Sequence, residues 1–476
     1  MIKLPESGLS SAERFALDML VDLARLVPAA PALDAVRVEL RDHAPRDLRG
    51  WIAAAWGIEA GDGVVGVPRG VLHAVIDVAG AGAEQRATER DRYSRVPSTA
   101  NPLVQEHLER EPVIQRAALA LQTAARKSAG RRPFRTVAPW PQRRSWAAAF
   151  THDLDVVSWW PAFTLLRIAE LMKKGALGQV ARVAASAIGS AGFDPIFKGV
   201  TGVLNAEAAA KIHSTWFILC GTPTLQTMRA GDLTYRPESS KARGILTQVR
   251  EAGHEIGLHG SFATLENDAA FVEQRQRLEG VSSAGVQGIR QHYVRISPGV
   301  TERAMVAAGF AYDSTFGFPD RNGFRLGVAD VVPRWDGQGP LAIDEVPFTW
   351  MDRALSKYRG IEQPSAWTAD ALELAATARE VGGLWVGLWH PNLTTPLGFP
   401  DAPRAYAATI SGVLSEQPFV APLHAIAAWR RARRAVRAEA IAADGGVVAR
   451  ATARGGMTPF QLRLEDAAGR PAEAVR

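Results

Sequence analysis

From residue 145 onward, short apolar runs alternate with helical stretches, and five segments at the ends of apolar runs carry polar side chains. The five motifs are THDLD at 151–155, GHEIGLHGS at 253–261, RQHY at 290–293, YDST at 312–315 and LWHP at 388–391. Carboxylates, histidines and an arginine at strand ends are typical of α/β barrels, which draw their site residues from several strands. The pattern therefore predicts an α/β fold in which distant segments converge on one site suited to metal-assisted hydrolysis.

Seven apolar runs are strand candidates, and helical stretches lie between most of them. They cover residues 145–152, 214–220, 255–258, 286–290, 311–315, 345–350 and 384–389. Crossovers of this kind indicate a mostly parallel sheet, either closed into a distorted barrel or doubly wound. We assign 145–425 to this region, with an insertion at 156–212. The basic, glycine-rich part of the insertion is interpreted either as an ordinary surface segment or as a lid or partner surface.

The two flanks have different patterns. Residues 1–144 mix helical and strand-like segments and end in a proline- and arginine-rich stretch, which predicts an N-terminal α/β accessory domain. Residues 426–476 predict a basic helix followed by a small β tail. We interpret the arginine run at 430–437 as the solvated face of a helix, and the alternative is peripheral contact with an anionic membrane or polymer.

Composition narrows the class of protein. A chain of 476 residues with 47% hydrophobic content can bury a sizeable core, and its net charge is only +6. The central region has no basic stripe with interleaved aromatic residues, so we expect no nucleic-acid partner. Cys220 is the only cysteine, which excludes an intrachain disulfide and a thiolate zinc cluster. With neither a secretory-signal pattern nor a long apolar run, we expect a cytoplasmic protein. No pattern indicates an oligomeric state.

Asp153 and Asp155 stand two residues apart in THDLD. On an extended strand both carboxylates face the same side, so they can share one site. One carboxylate can then bind a divalent metal while the other takes a proton from the attacking water. By itself an Asp-x-Asp pair also fits a helix cap or a cation site without catalysis.

Strand geometry also predicts which histidines, and whether the arginine, can face the same site. His254 and His259 are five residues apart and point to opposite faces, so we expect only His259, beside Gly260, to reach a site. Arg290 and His292 share a side: Arg290 can orient the catalytic carboxylate or bind substrate, and His292 can bind a metal. An arginine paired with a structural acid and a histidine at the surface fit the local sequence equally well. His390 ends a strongly apolar strand, where either a general acid or a buried structural histidine fits.

The order of these motifs resembles the polysaccharide deacetylase family, the NodB-homology domain of carbohydrate esterase family 4, over roughly residues 145–425. THDLD looks like the first motif of that family, EIGLHGS the second, RQHYVR the third, YDSTFGF the fourth and LWH the fifth. The resemblance implies a distorted (β/α)7 barrel. It also implies that a divalent metal, zinc, assists hydrolysis of the amide of an N-acetylated sugar.

The resemblance also implies roles for single residues. Asp153 would be the general base, Asp155 and His259 metal ligands, Arg290 the tether of the base and His390 the general acid. Three further residues are expected to bind substrate: Asp313 in the fourth motif, Trp389 by stacking on a sugar ring, and Arg325 in the GFR triplet at 323–325. For Trp389 a core position, and for Arg325 a structural ion pair, are the open alternatives.

One departure from the family pattern concerns the metal ligands. The second motif of the family runs His-Ser/Thr-x-x-His, but Ala263 stands four residues after His259. Asp155 and His259 alone are few ligands for zinc. We hypothesise that His292, where the third motif usually has proline, supplies the missing ligand.

These observations predict a hydrolase of carbon-nitrogen bonds that deacetylates a bacterial polysaccharide or glycan precursor. Two alternatives stay open at this point. A catalytically inactive deacetylase fold could bind carbohydrate or act as a scaffold, which the missing histidine favours and the complete acid and base set opposes. A non-sugar amidase is the other.

Overall fold

The chain was analysed as a computed structural model. The structure describes residues 1–132, 134–157, 160–190, 194–222, 224, 232, 235–265, 267–441, 447–451, 462–466 and 468–474. No helix among these residues is long and apolar enough to cross a membrane.

The first 130 residues form a small α/β unit. Its strands are β1 (Ile2–Lys3), β2 (Val36–Arg41), β3 (Glu59–Gly61) and β4 (Val64–Pro68), in the sheet order β1-β2-β4-β3. Its helices are α1 (Ser11–Leu23), α2 (Leu48–Ala53), α3 (Arg69–Val78), α4 (Gly82–Arg86), α5 (Pro102–Gln105) and α6 (Val113–Ala129). Helix α1 begins with a capping box, in which Ser10 and Glu13 satisfy each other's backbone amides. The α/β character predicted for the N-terminal flank is present.

A ten-stranded sheet dominates the rest of the chain. Nine strands follow the order β11-β12-β10-β9-β8-β7-β6-β14-β13, and β15 pairs with β6. The strands are β6 (Ala147–Leu154), β7 (Thr215–Leu219), β8 (Glu255–Gly260), β9 (Gly288–Gln291), β10 (Tyr312–Asp313), β11 (Val332–Trp335), β12 (Pro340–Glu345), β13 (Trp350–Met351), β14 (Leu384–Trp389) and β15 (Phe419–Val420). All pairs are parallel except β11 with β12. The sheet curls into a half-barrel, which confirms the predicted α/β fold with a distorted barrel.

Helices connect these strands. They are α7 (Trp160–Lys173), α8 (Leu177–Gly189), α9 (Pro195–Ala210), α10 (Ser240–Glu251), α11 (Ala269–Ser282), α12 (Thr301–Ala307), α13 (Pro364–Glu380), α14 (Ala402–Ser415) and α15 (Leu423–Arg434). The first three form the insertion between β6 and β7. Asp194 caps α9, and Pro195 occupies its first turn, where a missing amide hydrogen costs nothing.

Strand β6 lies between β14 and β7 and is buried along its whole length. Its sequence AAAFTHDL starts as an uninterrupted apolar run, as expected for a parallel strand covered on both faces. Because β6 has a neighbour on each side, THDLD lies within the carboxyl edge of the sheet and not at its border. The ends of β8, β9, β13 and β14 meet it there.

Two predictions about secondary structure need correction. The predicted strand 345–350 is divided, since β12 ends at Glu345 and β13 begins at Trp350. The arginine run does not form a solvated face throughout: Arg430 and Arg433 on α15 are buried and pair with Asp22 and Asp330. The periodicity of a basic helix does not reveal that two buried carboxylates lie against it.

The C-terminal segment adds short strands. These are β16 (Val436–Ile441), β17 (Val447–Ala451), β18 (Arg463–Glu465) and β19 (Pro471–Ala474). Strand β16 pairs with β17, while β18 pairs with β19 and with β5 (Thr136–Val137) from the proline-rich stretch. A small β tail was predicted, and its contact with residues 136–137 joins it to the end of the N-terminal flank.

Candidate metal-dependent active site

Two carboxylates leave the end of β6 on the same side, as their spacing predicts. Asp153 Oδ2 lies 3.7 Å from His259 Nε2, and Asp155 Oδ1 lies 3.2 Å from the same nitrogen. Asp153 is 4% exposed, and the side chain of Asp155 is 24% exposed at the edge of a cavity. One carboxylate is therefore deeper in the molecule than the other, and both face His259.

His259 comes from the end of β8, where it pairs in register with Arg290 of β9. Its Nδ1 lies 2.8 Å from the carbonyl oxygen of Arg290, so Nδ1 carries the hydrogen and donates it to that oxygen. The Nε2 lone pair is then free to face Asp155. His254 lies in a separate buried cluster, where its Nδ1 accepts from the backbone amide of Ser214.

His292 reaches the same place through an unusual turn. The chain leaves β9 and adopts positive φ at Tyr293 and Val294, a rare conformation for a β-branched residue such as valine. Strain of this kind concentrates at functional sites. His292 Nε2 lies 3.7 Å from Asp155 Oδ1, and its Nδ1 lies 3.2 Å from Oδ1 of the buried Asp232.

Arg290 crosses the interior of the curled sheet to reach Asp153. Its Nη1 donates to Asp153 Oδ1 and to Thr151 Oγ1, both at 2.9 Å, and its Nε donates to the carbonyl of Ser314 at 2.9 Å. The guanidinium is fully buried and lies over the ring of Phe217 at 4.4 Å. A charge-assisted pair at this depth fixes the direction of the Asp153 carboxylate.

His390 follows β14 on the other side of β6. Its Nε2 lies 3.6 Å from Asp155 Oδ2, and its Nδ1 lies 2.6 Å from Oδ1 of Asp352, which follows β13. Asp352 also accepts a hydrogen bond from the backbone amide of His390. Burial lowers the pKa of the His390 imidazole, but the carboxylates of Asp352 and Asp155 outweigh burial and raise the pKa to about 9.

Asp155 stands at the centre of three imidazoles. Burial raises the pKa of its carboxyl, but the nearby imidazoles of His292, His259 and His390 together hold the pKa below its usual range. Asp155 is therefore ionised and negatively charged, as a metal ligand must be.

The residues present fit a divalent metal. Asp155, His259 and His292 each offer one ligand atom, and the three atoms lie within 4.8 Å of one another. Asp155 Oδ1 is buried and receives no well-aligned hydrogen bond from the described residues, as expected for an oxygen that binds a cation. An Asp-His-His set is a donor combination that zinc accepts. The three ligands named from the sequence are thus brought together.

Three predicted substrate-binding residues lie elsewhere. Arg325 is 3% exposed and forms a 2.6 Å ion pair with Glu84 of the N-terminal unit, so the structure places it in a structural pair instead of a substrate contact. Asp313 is fully buried against Thr315 and Glu345, and burial raises its pKa to about 7. Trp389 is 3% exposed and stacks on Trp350, a core position.

Two residues of the site were missed in the sequence. Asp352 follows strand β13, and a correct boundary for that strand would have shown a carboxylate at its end. Asp232 lies outside any predicted strand or motif, so no sequence signal indicated it. Both carboxylates orient histidines, a role set by tertiary contacts that spacing along the chain does not encode.

No protein-family model matches the sequence, and a comparison with curated proteins gives no match either. Among solved structures, a protein named as a polysaccharide deacetylase from Mycobacterium smegmatis is 23% identical, with a TM-score of 0.42, covering 62% of this chain and 93% of the other. A protein of the same name from Pseudomonas aeruginosa PAO1 is 14% identical, with a TM-score of 0.39, covering 63% and 94%.

A third solved structure, a family 4 carbohydrate esterase pseudoenzyme from Bacillus anthracis, is 9% identical, with a TM-score of 0.28, covering 60% of this chain and 66% of the other. The names of these structures agree with the resemblance in the motifs. They say nothing about the activity of this chain, which depends on its own side chains.

Proposed function

We propose that this protein is a metal-dependent deacetylase that hydrolyses the N-acetyl amide of a sugar in a bacterial polysaccharide or glycan precursor. One observation carries the proposal: an Asp-His-His group lies between an arginine-tethered carboxylate on one side and a carboxylate-backed histidine on the other. A scaffold protein needs neither the acid nor the base. We therefore place the protein among hydrolases of carbon-nitrogen bonds.

Asp155, His259 and His292 would hold the metal, and we propose zinc. When bound, such an ion polarises the amide carbonyl and lowers the pKa of a bound water. The three ligand atoms lie within 4.8 Å of one another, and the Nδ1 atoms of the two histidines already face a carbonyl and a carboxylate. The protein is thus organised to present Nε2 of both rings.

Asp153 acts as general base in this proposal. Its Oδ1 is held by Arg290, so Oδ2, which faces His259, is the oxygen that takes a proton from water. The water oxygen bonds to the amide carbon. Arg290 itself does not touch the reacting atoms and serves to position the base.

His390 acts as general acid. When the carbon-nitrogen bond breaks, its Nε2 hydrogen passes to the leaving nitrogen, which departs as the sugar amine while the acyl group departs as acetate. Asp352 holds Nδ1 and so fixes the ring with Nε2 toward Asp155. Acid and base thus stand on opposite sides of Asp155.

The test is metal content and acetate release measured on the same preparations. We expect about one zinc ion per chain in the wild type, loss of the metal in Asp155→Ala, His259→Ala and His292→Ala, and retained metal with lost acetate release in Asp153→Asn. N-acetylated chitin oligomers and simple amides serve as paired substrates. Full metal stoichiometry in His292→Ala would contradict the ligand set, and a wild type that binds no zinc, cobalt or nickel would contradict the enzyme.

A further inference from the structure

Three arginine and lysine side chains line the cavity in front of the candidate metal site, and one of them, Arg167, is paired with Glu170 and Glu362. The cavity has a volume of about 280 Å³ and its lining includes Asp155, His292 and His390. Arg353 and Lys357 line the same cavity. They stand four residues apart on the rim segment, residues 352–358, a short turn that contains a π-helix. π-Helical turns occur frequently at functional sites.

The acidic side chains of the cavity are already engaged. Asp155 faces the three histidines, and Glu170 forms ion pairs with Arg167 at 2.7 Å and Lys174 at 2.9 Å. Arg353 donates to Ser356 Oγ at 3.2 Å, a neutral partner. Within the part of the chain that the structure describes, neither Arg353 nor Lys357 forms an ion pair.

Aromatic rings surround the amine of Lys357. Its Nζ lies 5.6 Å from the ring of Tyr293, 5.9 Å from Tyr93 and 5.5 Å from Tyr358. Tyr93 comes from the N-terminal unit and stacks on Tyr293 at 4.8 Å, and the exposed Arg92 lies over it at 4.7 Å. The N-terminal unit therefore contributes a ring and a further positive charge to the mouth of the cavity.

Among the described residues, Arg353 and Lys357 thus carry positive charge without a direct ion pair, although the carboxylates of Asp352, Glu170 and Asp155 lie close enough to Arg353 to oppose the lowering of its pKa. Burial lowers the pKa of Arg353, and burial together with the charge of Arg353 lowers the pKa of Lys357 to about 8. Cationic groups held together in a partly enclosed cavity attract an anion, because an anion relieves both their desolvation and their mutual repulsion. Carboxylates and phosphates bind arginine and lysine with strong, charge-assisted hydrogen bonds.

We propose that Arg353 and Lys357 bind an anionic group of the substrate, so that the substrate is an N-acetylated sugar carrying a carboxylate or a phosphate. The acetyl part of this statement rests on the proposed function, whereas the anion site rests on the rim segment alone. Since Lys357 also packs among tyrosines, the sugar ring beside the anion lies against an aromatic surface.

Isothermal titration calorimetry with three small probes tests the anion site. Glucuronate supplies a carboxylate, glucose 6-phosphate a phosphate and glucose neither, and all are titrated at equal ionic strength. We expect at least one acidic probe to bind about tenfold or more tightly than glucose, which corresponds to about 1.4 kcal/mol. The tighter of the two acidic probes identifies the anionic group.

Two variants test whether the acidic probe binds at the rim segment. Lys357→Met and Arg353→Met should each lose at least about fivefold of the affinity for the acidic probe and none of that for glucose. The exposed Lys127 on α6 supplies the matched control, Lys127→Met, which should bind like the wild type. All three variants keep the metal ligands, so any binding of the acidic probe to the metal is the same in each variant and cancels when their affinities are compared. Equal binding of the three probes, or unchanged binding in Lys357→Met, would overturn the anion site.

The two proposals fail separately. Suppose that the acidic probe binds in a way that depends on Lys357, but the protein releases no acetate from any N-acetylated sugar. This result would support the anion site and reject the deacetylase. Acetate release at rates that Lys357→Met leaves unchanged, on acidic and neutral substrates alike, would reject the anion site and leave the deacetylase standing.

Discussion

The three histidines around Asp155 share one arrangement at the level of single atoms. Nδ1 of His259 faces a backbone carbonyl at 2.8 Å, Nδ1 of His292 faces Asp232 at 3.2 Å, and Nδ1 of His390 faces Asp352 at 2.6 Å. Each ring is thereby oriented with Nε2 toward Asp155. Partners of this kind fix the tautomer and raise the basicity of a metal-binding imidazole.

Asp232→Asn should weaken zinc binding about 10- to 100-fold, because the amide cannot supply the negative charge that supports His292. Competition with a fluorescent chelator measures the dissociation constant. Asp268→Asn, a change at the exposed residue before α11, is the control and should leave it unchanged. Equal zinc affinity in wild type and Asp232→Asn would show that His292 is oriented without its carboxylate.

Arg290→Met should lower the free energy of unfolding by about 3–5 kcal/mol, because the change leaves the buried Asp153 carboxylate without its cation. Arg303→Met removes a half-exposed pair with Asp336 and should cost no more than about 1 kcal/mol. Urea unfolding followed by circular dichroism measures both. Similar costs for the two variants would mean that the pair of Arg290 and Asp153 stabilises the fold no more than an exposed pair does.

Helix α7 of the insertion shows how an element divides its side chains between core and solvent. Leu171 is fully buried, whereas Leu165 is 68% exposed and Leu166, which lines the cavity near Asp155, is 70% exposed. Its neighbour α8 exposes Leu177 and Ile188 in the same way, at 69% and 77%. Hydrophobicity along the insertion therefore does not report which residues are inside.

Leu171→Ala should lower the free energy of unfolding by about 2–5 kcal/mol, because it removes buried methyl groups and leaves a cavity. Leu165→Ala, the same change on the same helix, should alter it by no more than about 0.5 kcal/mol. Chemical unfolding of the two variants tests the contrast. Equal losses would mean that the outer face of α7 is covered in solution.

The elements that could be predicted best were those with a strong hydrophobic pattern. Strands β6, β8 and β14 are apolar runs with polar residues at or just after their carboxyl ends, so their location and the convergence of Asp153, Asp155, His259 and His390 followed from parallel strand geometry. Strand β13 was misplaced because it is only two residues long, too short for a period to show. The burial of Arg430 depends on carboxylates that lie 100 and 408 positions away, which no local pattern records.

At the scale of the whole molecule, one buried ion cluster joins both ends of the chain to the sheet. Asp22 of α1 pairs with Arg430 and Arg434 of α15 at 3.0 and 2.9 Å, and Arg430 also pairs with Asp330, just before β11. Burial by itself raises the pKa of Asp22, but the three guanidinium groups of Arg430, Arg434 and Arg433 hold it well below its usual range.

The pH dependence of stability follows from that shift. A carboxyl whose pKa is lower in the folded than in the unfolded state binds fewer protons when folded, so its stabilising contribution is present above about pH 4 and declines as the pH falls below that value. We expect Asp22→Asn to lower the free energy of unfolding at pH 7 and to lose less stability than the wild type between pH 5 and pH 3. Unfolding titrations at several pH values measure both slopes. Parallel slopes would mean that folding does not shift the pKa of Asp22.

The pairing of β6 with a strand far along the chain also has a consequence during synthesis on the ribosome. Thr151 donates to the carbonyl of Gly387, 236 residues later, and β14 is the neighbour that covers one edge of β6. Until residue 389 has left the ribosome, AAAFTHDL remains an unpaired apolar edge, and such edges favour aggregation of nascent chains. Asp155 thus gains His390, one of its three imidazole neighbours, only after residue 390 has been synthesised, and β6 needs protection from aggregation until then.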